Sequence, residues 1–139
     1  MFLALMFLTA GAHAQNVQIM DLSIAEFHSQ ELVHAPDSAI DSTDVKITFM
    51  IDDPSQATDY FISFATARDS ADIFSVRGQI VQRGGKDYTS YNGSSTEIRS
   101  FTACHYMRMN TMDFMAFSIL YLKVKMANGL YTDRIYLEK

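Results

Sequence analysis

A chain of 139 residues, 48% hydrophobic and 19% charged, has the size and balance of one globular domain with its own core. This composition excludes a disordered or fibrous protein. The formal net charge is −5 and the 11 Lys and Arg are scattered along the sequence. We therefore expect no nucleic-acid partner, because phosphate binding needs a concentrated basic face.

The first 14 residues, MFLALMFLTAGAHA, have the features of a cleavable signal peptide. The apolar run from Phe2 to Leu8 is too short to span a bilayer, and Ala-His-Ala at 12–14 fits the small-x-small rule for cleavage before Gln15. No Lys or Arg precedes the apolar run, although signal peptides have a positive charge there. Two alternatives therefore remain open: an upstream start codon, or a buried N-terminal strand or helix of the domain. We expect a signal peptide at 1–14, a single domain at 15–139, secretion or a periplasmic location, and no membrane span.

Short β-type runs separated by turn residues follow the leader. Val17 to Phe27 predicts a first strand, and the turn-forming stretch 35–44, APDSAIDSTD, predicts a loop. Val45 to Ile51 predicts a strand because its odd-numbered residues are all apolar. Residues 52–55, Asp-Asp-Pro-Ser, predict its end.

The middle of the chain continues this pattern. Tyr60 to Ala65 is apolar on both faces except at one serine, so we expect a central strand. Residues 68–72 are compatible with one helical turn. Phe74 to Arg83 alternates as a strand, with Gly78 on its apolar face.

Glycine pairs and polar breaks divide the next strands. Gly84-Gly85 predicts a two-residue hairpin turn that returns as a strand over Lys86 to Tyr91. Residues 92–95, Asn-Gly-Ser-Ser, predict a break, and Ile98 to Met107 predicts another strand.

The last hairpin is the strongest local prediction, because Asn128-Gly129 favours a type I′ turn. The pairs expected from such a loop are Met126–Tyr131, Leu122–Ile135 and Leu120–Leu137 on an apolar face, with Lys125–Thr132 and Tyr121–Tyr136 on the other. Asp133 then falls on the apolar face and Lys123 faces Arg134. We expect these two misfits at a sheet edge, where charge discourages further pairing.

These strands and turns predict an all-β, two-sheet antiparallel sandwich of about seven to nine strands. The closing segment YLKVKMANGLYTDRIYL, Tyr121 to Leu137, resembles the final hairpin of secreted bacterial immunoglobulin-like domains. The resemblance covers this segment only, implies an immunoglobulin-like sandwich, and carries no functional residues with it. One Cys and no Trp exclude an antibody-type member, which needs a core disulfide and a core Trp.

No motif in the sequence specifies a catalytic chemistry. HExxH, CxxC, GxSxG and GxGxxG patterns are all absent, so we expect no enzyme and no bound cofactor. Cys104 and His105 are adjacent, so on a strand they point to opposite faces, and we expect Cys104 to be a small core residue. A leftover cysteine also leaves an intermolecular partner open.

Two further site types remain open as weaker alternatives. The acidic residues around the strand at 45–51 suggest a calcium site, although a solvated acidic rim explains them as well; they are Asp41, Asp44, Asp52 and Asp53. A hydrolase with a dispersed carboxylate site would need a deep cleft with two perturbed carboxylates.

The most unusual segment is Cys104 to Met115, which holds four Met and a Cys-His pair. Thioether and imidazole ligands suit Cu(I), so the segment predicts a candidate metal site. Its ligands would be His105, Met107, Met109, Met112 and Met115. The alternatives are core packing, because Met fills irregular gaps, and an exposed Met surface for a protein partner.

The leading functional hypothesis is a secreted, non-enzymatic binding or structural module that recognises protein or glycan. Tyr88 and Tyr91 are candidates for its contact surface. A periplasmic copper-binding protein that uses the Met-rich segment is the alternative. Self-association through a free sheet edge is compatible with either hypothesis.

Overall fold

The computed structural model describes residues 16–24, 42–66 and 72–137. Nine strands lie in this part of the chain: β1 Val17–Ile24, β2 Ser42–Ile51, β3 Ala57–Ala65, β4 Asp72–Arg83, β5 Lys86–Tyr91, β6 Ser94–Glu97, β7 Thr102–Asn110, β8 Ile119–Met126 and β9 Gly129–Tyr136. They form a three-stranded sheet, β1-β2-β7, and a six-stranded sheet, β6-β5-β4-β3-β8-β9. The prediction of an all-β, two-sheet antiparallel sandwich is confirmed.

Several predictions fall wholly or partly outside the described residues. The signal peptide at 1–14 lies outside them, as do His28 and His34. Most of the predicted loop at 35–44 and of the helical turn at 68–72 also lies outside. Within the described part, residues 42–44 already belong to β2 and Asp72 begins β4, so β2 starts three residues before its predicted beginning.

The core forms where the apolar faces of the two sheets meet. In β2 the odd-numbered residues are buried without exception, which confirms the alternation of the predicted strand. β3 lies between β4 and β8, so it is the central strand that its two apolar faces predicted. Tyr60, Ile62 and Phe64 of β3 are almost fully buried against the opposite sheet. Burying such large side chains supplies most of the free energy that holds two sheets together.

Two short turns have the backbone that their residues favour. Gly84 and Gly85 have φ of 57° and 78° and join β4 to β5, which confirms that hairpin. Asn92 and Gly93 have φ of 51° and 85° and make a second hairpin turn. Ser94 and Ser95 therefore belong to the short strand β6 rather than to a break, which corrects the prediction for 92–95.

The start of β7 also differs from its predicted position. Ile98 is buried, but Ser100 and Phe101 have positive φ of 52° and 65°, and the backbone turns before the strand begins at Thr102. Positive φ is uncommon for residues with a side chain, so the apolar pattern gave no signal for it. The N–H of Ile51 donates to the Phe101 carbonyl oxygen at 2.9 Å, which fixes this turn against β2.

A six-residue helix, α1 (Thr111–Ala116), carries the chain from β7 in one sheet to β8 in the other. The Asn110 side chain caps it by accepting from the N–H groups of Met112 and Asp113 at 2.8 and 3.1 Å. Phe114 of the helix and Phe117 beyond it close one end of the core. No helix in the described part of the chain is long and apolar enough to cross a membrane.

The final hairpin forms, but its register is shifted by two residues. Ala127 and Asn128 make the turn, and Met126 pairs with Gly129. Leu120 pairs with Ile135, and Lys123 with Thr132 rather than with Arg134. Side chains alternate with a period of two, so a shift of two leaves every residue on its predicted face, and the hydrophobic pattern does not distinguish the two registers.

The two sides of the sandwich close differently. On one side β1 lies beside β9, and the carboxylate of Asp133 accepts a hydrogen bond from the Ile19 N–H at 2.7 Å. This contact explains why a carboxylate lies on the apolar face of β9. On the other side the sheet edges are β7 and the four-residue β6, and a cavity separates them.

Candidate functional site

The cavity between β7 and the β5-β6 hairpin is the candidate site, and we call it the seam groove. Its volume is about 180 Å³. Its lining residues are Tyr60, Thr89, Tyr91, Asn92, Ser94, Thr96, Cys104, His105, Tyr106, Met107 and Arg108. Asn92, Ser94, Tyr106 and Arg108 are exposed at its rim, whereas Tyr60 and His105 are buried at its floor.

The floor of the groove is a hydrogen-bonded pair of buried polar side chains. The Tyr60 hydroxyl lies 2.6 Å from Nδ1 of His105, so one residue from each sheet meets at the centre of the sandwich. The Tyr60 ring also packs edge-on against the imidazole, with centroids 5.3 Å apart. Burying either group alone would be costly, and pairing them offsets that cost.

A glycine makes room for this pair. Gly78 of β4 lies directly opposite Tyr60 of β3, and a Cβ at Gly78 would overlap the Tyr60 ring. The phenol therefore lies across the β4 backbone and reaches His105. A glycine within a strand marks such a close approach, so Gly78 was the one signal in the sequence that pointed here.

Both members of the pair are uncharged at neutral pH. Burial lowers the pKa of His105 to about 4 from its ordinary 6.5, because the charged imidazolium is poorly solvated there. Burial raises the pKa of Tyr60 well above its usual 10, and the neighbouring Tyr91 adds to the rise. The floor of the groove therefore presents neutral hydrogen-bonding groups.

The second ring nitrogen of His105 takes no part in the bond to Tyr60. Among the described residues, Nε2 of His105 is buried and has no hydrogen-bond partner. The Tyr60 hydroxyl has a proton to donate, and Nδ1 of His105 accepts it in this hydrogen bond. The single proton of the neutral imidazole is then on Nε2. The Tyr91 ring lies over the imidazole with centroids 4.6 Å apart. A buried donor without an acceptor costs about 1–3 kcal/mol, so a hydrogen-bond acceptor that reaches Nε2 would be stabilised.

The walls of the groove are polar and carry no unpaired charge. Thr89 Oγ1 donates to the Cys104 carbonyl oxygen at 2.8 Å and links the two walls. β7 is an edge strand, so the N–H and C=O groups of alternate residues point away from β2. Those of Cys104 and Tyr106 therefore point into the groove. Arg108 at the rim is held by Asp44, with Nε–Oδ1 at 2.7 Å.

The structure divides the Met-rich segment between core and surface. Met107 and Met109 are buried, at 6% and 4% exposure, whereas Met112 and Met115 of α1 are exposed, at 78% and 61%. His105 is buried beside Tyr60, and Cys104 lies on the other face of β7, as their adjacency predicted, so Cys104 is half-buried rather than the core residue that was expected. The five candidate Cu(I) ligands are thus split between two environments, and the copper hypothesis stays a prediction.

The two tyrosines expected at a contact surface are also separated. Tyr88 lies on the outer face of β5, where the Arg83 guanidinium covers its ring at 4.8 Å, whereas Tyr91 faces the groove. Asp44 is paired with Arg108, and Asp41 lies outside the described residues. Among the residues that the structure places, no three His, Cys, Asp or Glu side chains are grouped so that they could hold a metal ion.

Sequence reasoning missed most of the groove. Tyr60 is indistinguishable from an ordinary core aromatic in the pattern of β3, and Thr89, Ser94 and Thr96 are ordinary strand polar residues. They converge because β5 and β6 of one sheet fold back towards β7 of the other, where β3 also brings Tyr60.

Comparison of the chain with protein-family models, curated proteins and solved structures finds no match.

Proposed function

We propose that this protein is a secreted, non-enzymatic binding module of an immunoglobulin-like type, and that it takes one sugar unit of a glycan into the seam groove. The observation that carries the proposal is the groove itself. It is a polar cleft of about 180 Å³ whose buried floor offers an unpartnered imidazole nitrogen.

The size of the groove supports a small occupant. Sites for drug-sized ligands occupy about 300–1,000 Å³, so this one suits a single ring or a single side chain. A second cavity of about 290 Å³ shares Tyr106 and Met107 with it, which leaves room for further units of a chain.

The chemistry of the lining supports a neutral ligand that is rich in hydroxyl groups. Thr89, Ser94, Thr96 and Asn92 supply hydroxyls and an amide, and the Arg108 charge is neutralised by Asp44. Neutral donors and acceptors beside the tyrosine rings match the alternating polar and apolar faces of a sugar. An anionic ligand would have to compete with Asp44 for Arg108, and the lining residues of the groove include no carboxylate for a cationic ligand.

The absence of a catalytic motif in the sequence, together with a neutral His105, supports binding without turnover. A general base works best with a pKa near the working pH, whereas burial holds the pKa of His105 at about 4. The proposed location outside the cell is supported by the signal peptide expected at residues 1–14.

The proposal is tested by NMR titration of the labelled protein with the methyl glycosides of glucose, galactose, mannose and N-acetylglucosamine. We expect one of them to shift the amide signals of residues 89–96 and 104–108 and to remain uncleaved. Ser94→Trp fills the groove mouth and should abolish the shifts. Ser95→Trp is the matched control, because Ser95 lies on the outer face of β6.

Shifts that survive Ser94→Trp, or that Ser95→Trp abolishes equally, would place binding elsewhere. The absence of any shift at millimolar glycoside would overturn the proposal.

A further inference from the structure

The outer face of the six-stranded sheet collects positive charge from residues that are distant in the sequence. The strand registers place on this face Arg77, Arg83, Lys86, Lys123, Lys125 and Arg134, which we call the basic face. Among the side chains that the structure describes, the carboxylates on the same face are Asp59 and Glu97. The basic face thus has a net positive charge on a protein whose formal net charge is −5.

The pairing of four strands makes the centre of the basic face continuous. Phe61 of β3 lies between Arg77 of β4 and Lys123 of β8. One step along the sheet, Tyr121 of β8 lies opposite Arg134 of β9. Neighbouring strands are about 4.8 Å apart, so these side chains form one surface rather than isolated charges.

Three arginines of the basic face lie over aromatic rings of the same face. The guanidinium carbons of Arg77, Arg83 and Arg134 lie 6.0, 4.8 and 5.5 Å from the ring centres of Phe61, Tyr88 and Tyr136. Stacking holds a guanidinium in place while its N–H edge stays available to an anion. The recurrence of this arrangement shows that the side chains are held along the sheet surface.

Part of this charge is balanced within the protein and part is not. Arg77 binds Asp59 at 2.8 Å, which lowers the pKa of that carboxyl, and Lys86 lies 3.8 Å from Glu97. Arg83, Lys123 and Arg134 have no carboxylate partner among the residues that the structure describes. These three cations are available to an external anion.

The geometry points to an extended polyanion, and we propose that the basic face binds an acidic polysaccharide. The cations spread over β4, β8 and β9 instead of lining a pocket, which suits a polymer that carries carboxylate or sulfate groups at intervals. Ser63, Ser75 and Thr132 lie among them and can hydrogen-bond sugar hydroxyls. Nucleic-acid bases need open ring faces for stacking, and arginines already cover three of the rings.

The experiment measures binding of the full chain to immobilised heparin and polygalacturonate, with dextran as the neutral polymer and oligodeoxythymidine as the nucleic acid. We expect binding to at least one acidic polysaccharide, none to dextran, and weakening as salt rises from about 50 mM, because salt screens exposed charges. Lys123→Gln with Lys125→Gln should raise the Kd about tenfold or more. Lys123→Arg with Lys125→Arg should restore binding.

The matched control is Lys46→Glu, which lowers the net charge by the same two units on the three-stranded sheet, away from the basic face. It should leave the Kd within about twofold, and thermal melting should show that all variants fold. An equal loss of affinity in the control would show that net charge alone causes the effect, and would overturn the proposal. Failure to bind either acidic polysaccharide at low salt, or stronger binding of oligodeoxythymidine, would also overturn it. Ser94→Trp should bind normally, which separates this surface from the seam groove.

Discussion

The pair formed by Tyr60 and His105 shows how a few side chains turn an apolar core into a candidate site. Both are almost fully buried, and within the described part of the chain the side chain of each makes its hydrogen bond to the other. An all-apolar core would need neither residue. The pair keeps a polar atom, Nε2 of His105, at the point where the two sheets separate.

We predict that His105 makes the protein less stable in mild acid. Its pKa is about 4 in the folded protein and 6.5 when exposed, so between these values the unfolded chain binds a proton that the folded protein does not. The free energy of unfolding should therefore fall as the pH drops from about 6.5 to about 4, by up to about 3 kcal/mol from this group. Urea unfolding across this range should show a steeper pH dependence for the wild type than for His105→Gln. Equal slopes would contradict the prediction.

Asp133 is the second residue whose role depends on one contact. Asp133→Ala leaves the buried Ile19 N–H without its acceptor, so we predict a loss of about 1–3 kcal/mol in the free energy of unfolding. Asp133→Asn keeps an oxygen that can accept this hydrogen bond and should cost less. Chemical denaturation gives both values, and hydrogen exchange at the Ile19 amide should speed up in the alanine variant. A loss as large in Asp133→Asn would indicate that the charge, not the acceptor, matters.

At the scale of elements, the Tyr60 side chain of β3 constrains which residue β4 can carry opposite it. We predict that Gly78→Ala costs about 1–3 kcal/mol of stability, because the new Cβ overlaps the Tyr60 ring. The same substitution in a Tyr60→Leu background should cost less, since the ring is gone. Chemical denaturation of the wild type, the two single variants and the double variant forms a double-mutant cycle. Additive losses would show that Gly78 is needed for another reason.

Strand identity was predictable, and strand boundaries less so. Alternation located β2 and β4, and paired glycines located the turn at 84–85, because these signals lie within a few residues. The start of β7 and the register of the β8-β9 hairpin were wrong. Both depend on contacts with other strands: the Phe101 carbonyl bonds to β2, and the Asp133 carboxylate bonds to β1.

At the scale of the whole molecule, the fold separates residues that the sequence groups together. The Met-rich segment runs from the inner face of β7, which holds Met107 and Met109, to the exposed side of α1, which holds Met112 and Met115. Its thioethers therefore differ in exposure, although they are neighbours in the chain.

We predict that hydrogen peroxide oxidises Met112 and Met115 well before Met107 and Met109, because exposure governs thioether oxidation. Peptide mass spectrometry over a time course gives the four rates. Similar rates for all four would mean that the segment opens readily, and would return Met107 and Met109 to the set of accessible copper ligands.

The sequence by itself determined the class of fold, a range of seven to nine strands and the inner face of most of them, because alternation and turn residues act over short distances. It also placed Gly78 on the apolar face of its strand. Only the tertiary structure decided the seam groove and the basic face. Both assemble side chains from several strands, and the arrangement of those strands is fixed by pairing and by packing between sheets rather than by local pattern.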